Sequence, residues 1–253
     1  MSLALVAAVA ITLVLGGAGA NRTFANLTQI VAPLVATLAA WQAAARTRDR
    51  LWCLGWLLVG GSTLAWCAGQ CVWTWYESVL GRSLPFPSLA DVGYLGSIPL
   101  GIAALLTFPS APQRVVARTR TLLDALILAG SVLFTSWVFV LGPIFDATDR
   151  TALERVLSIA YPIGDVVLVT IVVIVTARAT AASRIPLGFV GAGYAALAIA
   201  DSFFVPTAME GLETSSLSNS AWVLGYTLIA LGAWHAVRHP VEDRAGDNGP
   251  GRF

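Results

Sequence analysis

The chain has 253 residues, of which 57% are hydrophobic and 11% charged, with 15 basic against 14 acidic side chains and a net charge of +1. An ordinary soluble domain carries roughly 45–50% apolar and about 25% charged residues, and the mean hydropathy here is +0.77. That excludes a water-soluble globular enzyme and a disordered chain; the lack of a basic block excludes a nucleic-acid binder, and three cysteines inside apolar stretches exclude a disulfide scaffold.

Apolar stretches this long must satisfy their backbone internally, which points to a helical membrane protein. A bilayer core of about 30 Å takes about 20 helical residues. Runs of that kind predict eight spans: Ser2–Gly17, Ala25–Ala45, Leu51–Tyr76, Val92–Phe108, Thr121–Pro143, Leu153–Ala177, Pro186–Pro206 and Ser220–Val237. The joints are short and are marked by Pro, Gly, Arg or acids. The expected fold class is all-α, a polytopic integral membrane bundle of about eight transmembrane helices. Residues 1–237 form its single domain, and residues 238–253 a short disordered cytoplasmic tail. The first span also matches a signal peptide, since Leu3–Leu15 precedes the A-x-A type site Ala18-Gly19-Ala20, although Met1-Ser2 carries no positive side chain. Cleavage of residues 1–20 leaves seven spans.

Arginine placement sets the orientation. Arg46, Arg48, Arg50, Arg114, Arg118, Arg120, Arg178, Arg184, Arg238, Arg244 and Arg252 fall in alternate joints or the tail. Only Arg22, Arg82, Arg150 and Arg155 fall in the others, a split of eleven to four. Glu77, Asp91, Asp146, Asp149, Glu154, Glu210 and Glu213 show the reverse trend. Both termini are therefore expected in the cytoplasm, and the protein in the cell membrane as a multi-pass chain.

An acid inside a span is costly and marks a functional hypothesis. At ~1.5 Å per helical residue, Asp165 falls about 18 Å into the sixth span and Asp201 about 22 Å along the seventh, in its outer half. Glu77 ends the third span and Asp91 opens the fourth, both on the outer side. The same arithmetic puts Trp73, Trp75, Tyr76, Tyr94, Trp137, Tyr161, Trp222 and Tyr226 in the outer half or at its edge. Asp165 follows Tyr161 by one turn and shares its face, with Pro162 removing a backbone donor between them.

Most of these residues also have plain structural readings. Aromatics at span ends form interfacial belts, Asp124 suits the N-terminal dipole of the fifth span, Asp91 caps a helix start and Glu77 is solvated. Asp165 and Asp201 sit at no span end. Cys67 with Cys71, and His235 with His239, are each one turn apart without the further ligands that zinc needs. No metal and no cofactor are expected, and there is no GxSxG or phosphate loop.

Several local patterns resemble the N-terminal membrane region of actinobacterial diguanylate cyclase/phosphodiesterase (GGDEF/EAL) signalling proteins. They are Pro87-Ser88-Leu89-Ala90-Asp91 with Tyr94-Leu95 and Pro99-Leu100, and Leu123-Asp124-Ala125-Leu126-Ile127 with Trp137 and Pro143. To these are added Ala160-Tyr161-Pro162-Ile163-Gly164-Asp165, Ala200-Asp201, and Trp222 with Gly225-Tyr226. With sixteen residues after the eighth span, the catalytic GGDEF and EAL modules of those proteins are expected to be absent. In size and helix number the chain also looks like the stand-alone integral-membrane terpene cyclases of bacteria, which are thought to protonate a prenyl group with a buried carboxylic acid; no residue is carried over from that likeness.

Two functions are consistent with these residues. The first is acid-initiated (class II type) cyclisation of an isoprenoid or prenylated lipophilic substrate in an outer-half cavity. There Asp201 and Asp165 are the catalytic acid pair, with Trp73, Tyr94, Trp137, Tyr161 and Tyr226 as walls for a carbocation and Glu77 and Asp91 beside the substrate. The second is a membrane sensor or small-lipid binding module that uses the same pocket and signals to a partner chain. The expected partners are a lipophilic small molecule and membrane lipid, with no nucleic acid.

Overall fold

The structure is a computed structural model and describes residues 22–109, 115–138, 142, 151–181, 183–209 and 216–240. The described residues form seven α-helices and no strand. They are α1 (Arg22–Arg46), α2 (Arg50–Thr74), α3 (Leu89–Thr107), α4 (Val115–Ser136), α5 (Ala152–Ala177), α6 (Arg184–Met209) and α7 (Ser216–Arg238). A π-helical turn at Trp75–Val79 continues α2. The expected first span, Ser2–Gly17, lies outside the described residues, as do the end of the expected fifth span and most of the tail.

Among the described residues six helices, all but α4, are long and apolar enough to cross a membrane. In α4, Arg118, Arg120 and Asp124 occupy the first ten residues, so its described apolar stretch begins only at Ala125.

Local chemistry fixes where the helices begin. Asp49 Oδ1 accepts from the backbone of Leu51 (2.8 Å) and Trp52 (2.9 Å), capping α2. At α3 the Ser88 hydroxyl caps the first turn while the Ser88 N–H donates to Asp91 Oδ2 at 2.7 Å. Thr151 and Glu154 repeat this reciprocal box at the start of α5.

The six apolar helices close a circuit. α1 packs on α2, α2 on α3, α3 on α5, α5 on α6, α6 on α7, and α7 back on α1; α4 packs on α5 outside it. α1 and α7 lie parallel, because Gln29 Nε2 near the start of one donates to Asn219 Oδ1 near the start of the other at 2.9 Å. Arg46, Arg50, Arg184 and Arg238 thus mark one end of the bundle, and Glu77, Asp91 and Glu154 the opposite end.

Apolar side chains cover the outside of the bundle as well as its core. Asn26, Gln29, Thr37, Ser62, Thr63, Gln70, Asp91 and Asp165 are buried, while Leu27, Val31, Leu34 and Leu38 form an exposed stripe along α1. Apolar side chains spaced by three and four residues and turned outward match a lipid solvent.

Two glycine crossings bring the backbones close. A Cβ on Gly93 would lie 2.5 Å from the Ala65 carbonyl, and one on Gly193 would lie 2.6 Å from the Gly225 carbonyl. Small residues at such contacts are the usual device of membrane helices, which gain little hydrophobic drive from one another. The first crossing seats α3 on α2 beside Tyr94; the second seats α7 on α6 one turn from Trp222.

Candidate functional site

Five helices turn a row of polar and aromatic side chains into the circuit. α2 supplies Trp66, Gln70 and Trp73, spaced by four and three residues so that they share a face. α3 supplies Asp91 and Tyr94, α5 Tyr161 and Asp165, α6 Asp201 and Phe204, and α7 Trp222 and Tyr226.

Three hydrogen bonds among these side chains tie the helices together. Tyr161 Oη donates to Asp91 Oδ1 at 2.6 Å, joining α5 to the first turn of α3. Tyr94 Oη donates to Gln70 Oε1 at 2.7 Å, joining α3 to α2. Trp222 Nε1 donates to Asp201 Oδ1 at 2.8 Å, joining α7 to α6. Asp91 therefore does two jobs: one oxygen closes the helix cap with Ser88, and the other receives Tyr161.

Trp66 is the hub of the aromatic part. Its ring lies 5.2 Å from Tyr94, 4.9 Å from Tyr226 and 6.3 Å from Trp222, all tilted. Phe204 packs on Trp222 at 5.5 Å and on Trp73 at 6.0 Å. Tilted contacts at these separations suit the ring quadrupoles.

Asp201 sits where the acids and the rings meet. Asp165, Tyr94, Tyr161 and Tyr226 are each close enough to interact with it electrostatically. Asp165 is 9% exposed, and among the described residues its carboxyl has no hydrogen-bond partner. Tyr226 is 2% exposed, and its hydroxyl likewise has no partner among the described residues. An unpartnered acid beside a singly anchored acid, faced by a free hydroxyl and aromatic rings, can bind a polar group on an apolar molecule or exchange a proton with it.

Of the residues expected at a site, Asp165, Asp201, Asp91, Tyr94, Tyr161 and Tyr226 come together, with Trp73 half-buried at the edge against Phe204. Glu77, on the π turn, accepts from Asn26 Nδ2 at 2.8 Å, one layer nearer the acidic end. Trp137 lies just past α4, outside the circuit, and is 51% exposed. The sequence pattern singles out neither Trp66, Gln70 nor Phe204, and it puts Trp222 in the outer half or at its edge. The signal for the first two was available: a glutamine in an apolar span, four residues after a tryptophan and three before another.

Asp124 is exposed with Arg120 Nε 3.9 Å from its Oδ2; α4 begins at Val115, so Asp124 is the tenth residue of the helix and not, as expected, in reach of its N-terminal dipole. Cys67 Sγ donates to the Ile30 carbonyl at 3.5 Å, and the rings of His235 and His239 lie 4.7 Å apart, tilted by 41°. No group of three or more metal-ligating side chains occurs among the described residues.

Compared with family models, curated proteins and solved structures, the chain matches none.

Proposed function

We propose that the chain is a multi-pass cell-membrane protein, with eight spans and both termini in the cytoplasm, that binds a lipophilic small molecule at the acid–aromatic site inside the helix circuit. One observation carries this reading. The separate sequence patterns that resemble the membrane region of cyclic-di-GMP signalling proteins contribute Asp91, Tyr94, Tyr161, Asp165, Asp201, Trp222 and Tyr226, and these residues converge in space through the Tyr161–Asp91 and Trp222–Asp201 hydrogen bonds. Patterns that served only to hold helices in a bilayer need not meet at one place. A binding module of this kind passes occupancy to a partner chain.

A second reading is catalytic, and the unpartnered Asp165 beside Asp201 favours it. In acid-initiated cyclisation of an isoprenoid, the donor's O–H bond breaks as a C–H bond forms at one alkene carbon. The cation left on the other carbon is captured by a second alkene, and a carboxylate takes the final proton. Trp222 holds one acid in place, and the faces of Trp66, Trp222 and Tyr226 stabilise the cation without attacking it.

The test is to express the chain in a host supplied with prenylated compounds and to identify the lipid-soluble material that co-purifies. An unchanged compound that co-purifies with the wild type and is absent from an unrelated membrane protein supports binding. A new isomer of the same mass, lost when the donor acid becomes an amide by about 10²-fold or more, supports turnover. Material no different from that on an unrelated membrane protein contradicts both.

A further inference from the structure

We infer that the ligand of this site is a lipophilic cation, an ammonium group carried on an apolar chain; the inference rests on the ligand-binding reading above and names its chemical class. Three carboxyls, Asp91, Asp165 and Asp201, lie within the circuit, and none forms an ion pair with an arginine among the described residues. Their internal partners are unequal. Asp91 receives Ser88 and Tyr161, Asp201 receives Trp222, and Asp165 receives nothing, although it is nine-tenths buried. The Tyr226 hydroxyl, 2% exposed, is also left without a hydrogen bond among the described residues.

The rings around them add charge preference of the same sign. Tyr94, Trp222 and Tyr226 pack 4.9 to 6.3 Å from Trp66, and the faces of such rings attract cations, Trp best of all. Carboxylates and ring faces together select against an anion, and a neutral hydrocarbon leaves Asp165 without the partner that burial demands. An organic cation satisfies both sets of groups at once. It suits the site better than a metal ion, because no group of three metal-ligating side chains occurs among the described residues.

The probes are a long-chain trimethylammonium and its neutral tert-butyl isostere, which has the same shape and no charge. Binding is read from tryptophan fluorescence of the whole chain in neutral maltoside micelles. The ammonium is expected to bind about tenfold or more tightly than the isostere, and Asp165→Asn and Asp201→Asn to remove that preference. A cooperative thermal unfolding transition shows that each variant still folds. Equal affinity of the two probes for the wild type, or a preference that survives both substitutions, overturns the cation inference and leaves lipophilic binding standing. Failure of both probes to bind the wild type overturns the ligand-binding reading as well.

Discussion

The hydroxyl of Tyr161 reaches Asp91 across seventy residues of sequence and donates to its Oδ1 at 2.6 Å, while the other oxygen of the same carboxyl closes the cap of α3. One side chain thus sets both the start of a helix and its attachment to α5. Side-chain hydrogen bonds inside membrane proteins average about 0.6 kcal/mol and reach about 1.7 kcal/mol. Tyr161→Phe is expected to cost that much in a detergent unfolding titration. Asp91→Ala loses the cap too, worth about 0.5–2 kcal/mol, so it should destabilise more. In the double variant the two losses should fall short of their sum.

The anchor on Asp201 separates a hydrogen bond from ring packing. Trp222→Phe removes the N–H donor and keeps a ring against Trp66 and Phe204, so stability should fall by less than about 2 kcal/mol. Trp222→Ala also empties the space and should cost about 3–5 kcal/mol. Equal losses for the two would mean that the donor and not the ring holds α7 on α6.

The α2–α3 crossing admits no side chain on Gly93. Gly93→Val drives methyl groups into the Ala65 carbonyl and the Gly69 backbone, and should lower stability by about 1–3 kcal/mol in thermal unfolding. Gly96, on the same helix, has nothing within 4 Å of an added Cβ. Gly96→Ala should be neutral or stabilising by up to about 1 kcal/mol.

The arginine-rich end should face the cytoplasm. In intact cells a membrane-impermeant thiol reagent should label Leu80→Cys, at the acidic end, and spare Arg48→Cys until the membrane is opened. The reverse pattern would invert the topology.

What was legible in the sequence was height, and what was not was rotation. Counting residues from the joints put Asp165, Asp201, Tyr94, Tyr161 and Tyr226 at compatible depths, and the four-residue spacing of Tyr161 and Asp165 put them on one face. Nothing in that count says which way a helix turns about its axis. Trp137 shares the expected depth, yet α4 packs on the outside of α5 and leaves it half exposed. Trp66 and Gln70 enter the site because the glycine crossing at Gly69 and Gly93 presses their face against Tyr94. The circuit itself depends on α1 meeting α7 through Gln29 and Asn219, 190 residues apart, a contact that no local pattern announces.

The central claim is that Asp165 and Asp201 face one another inside the circuit. Replace them with cysteines in a chain whose Cys53, Cys67 and Cys71 are alanines, treat the folded protein with a short bis-maleimide, then denature it and cut with trypsin at Arg178 and Arg184, between α5 and α6. The account predicts that the two fragments stay joined. Separate fragments, each carrying a singly reacted cysteine, would contradict it.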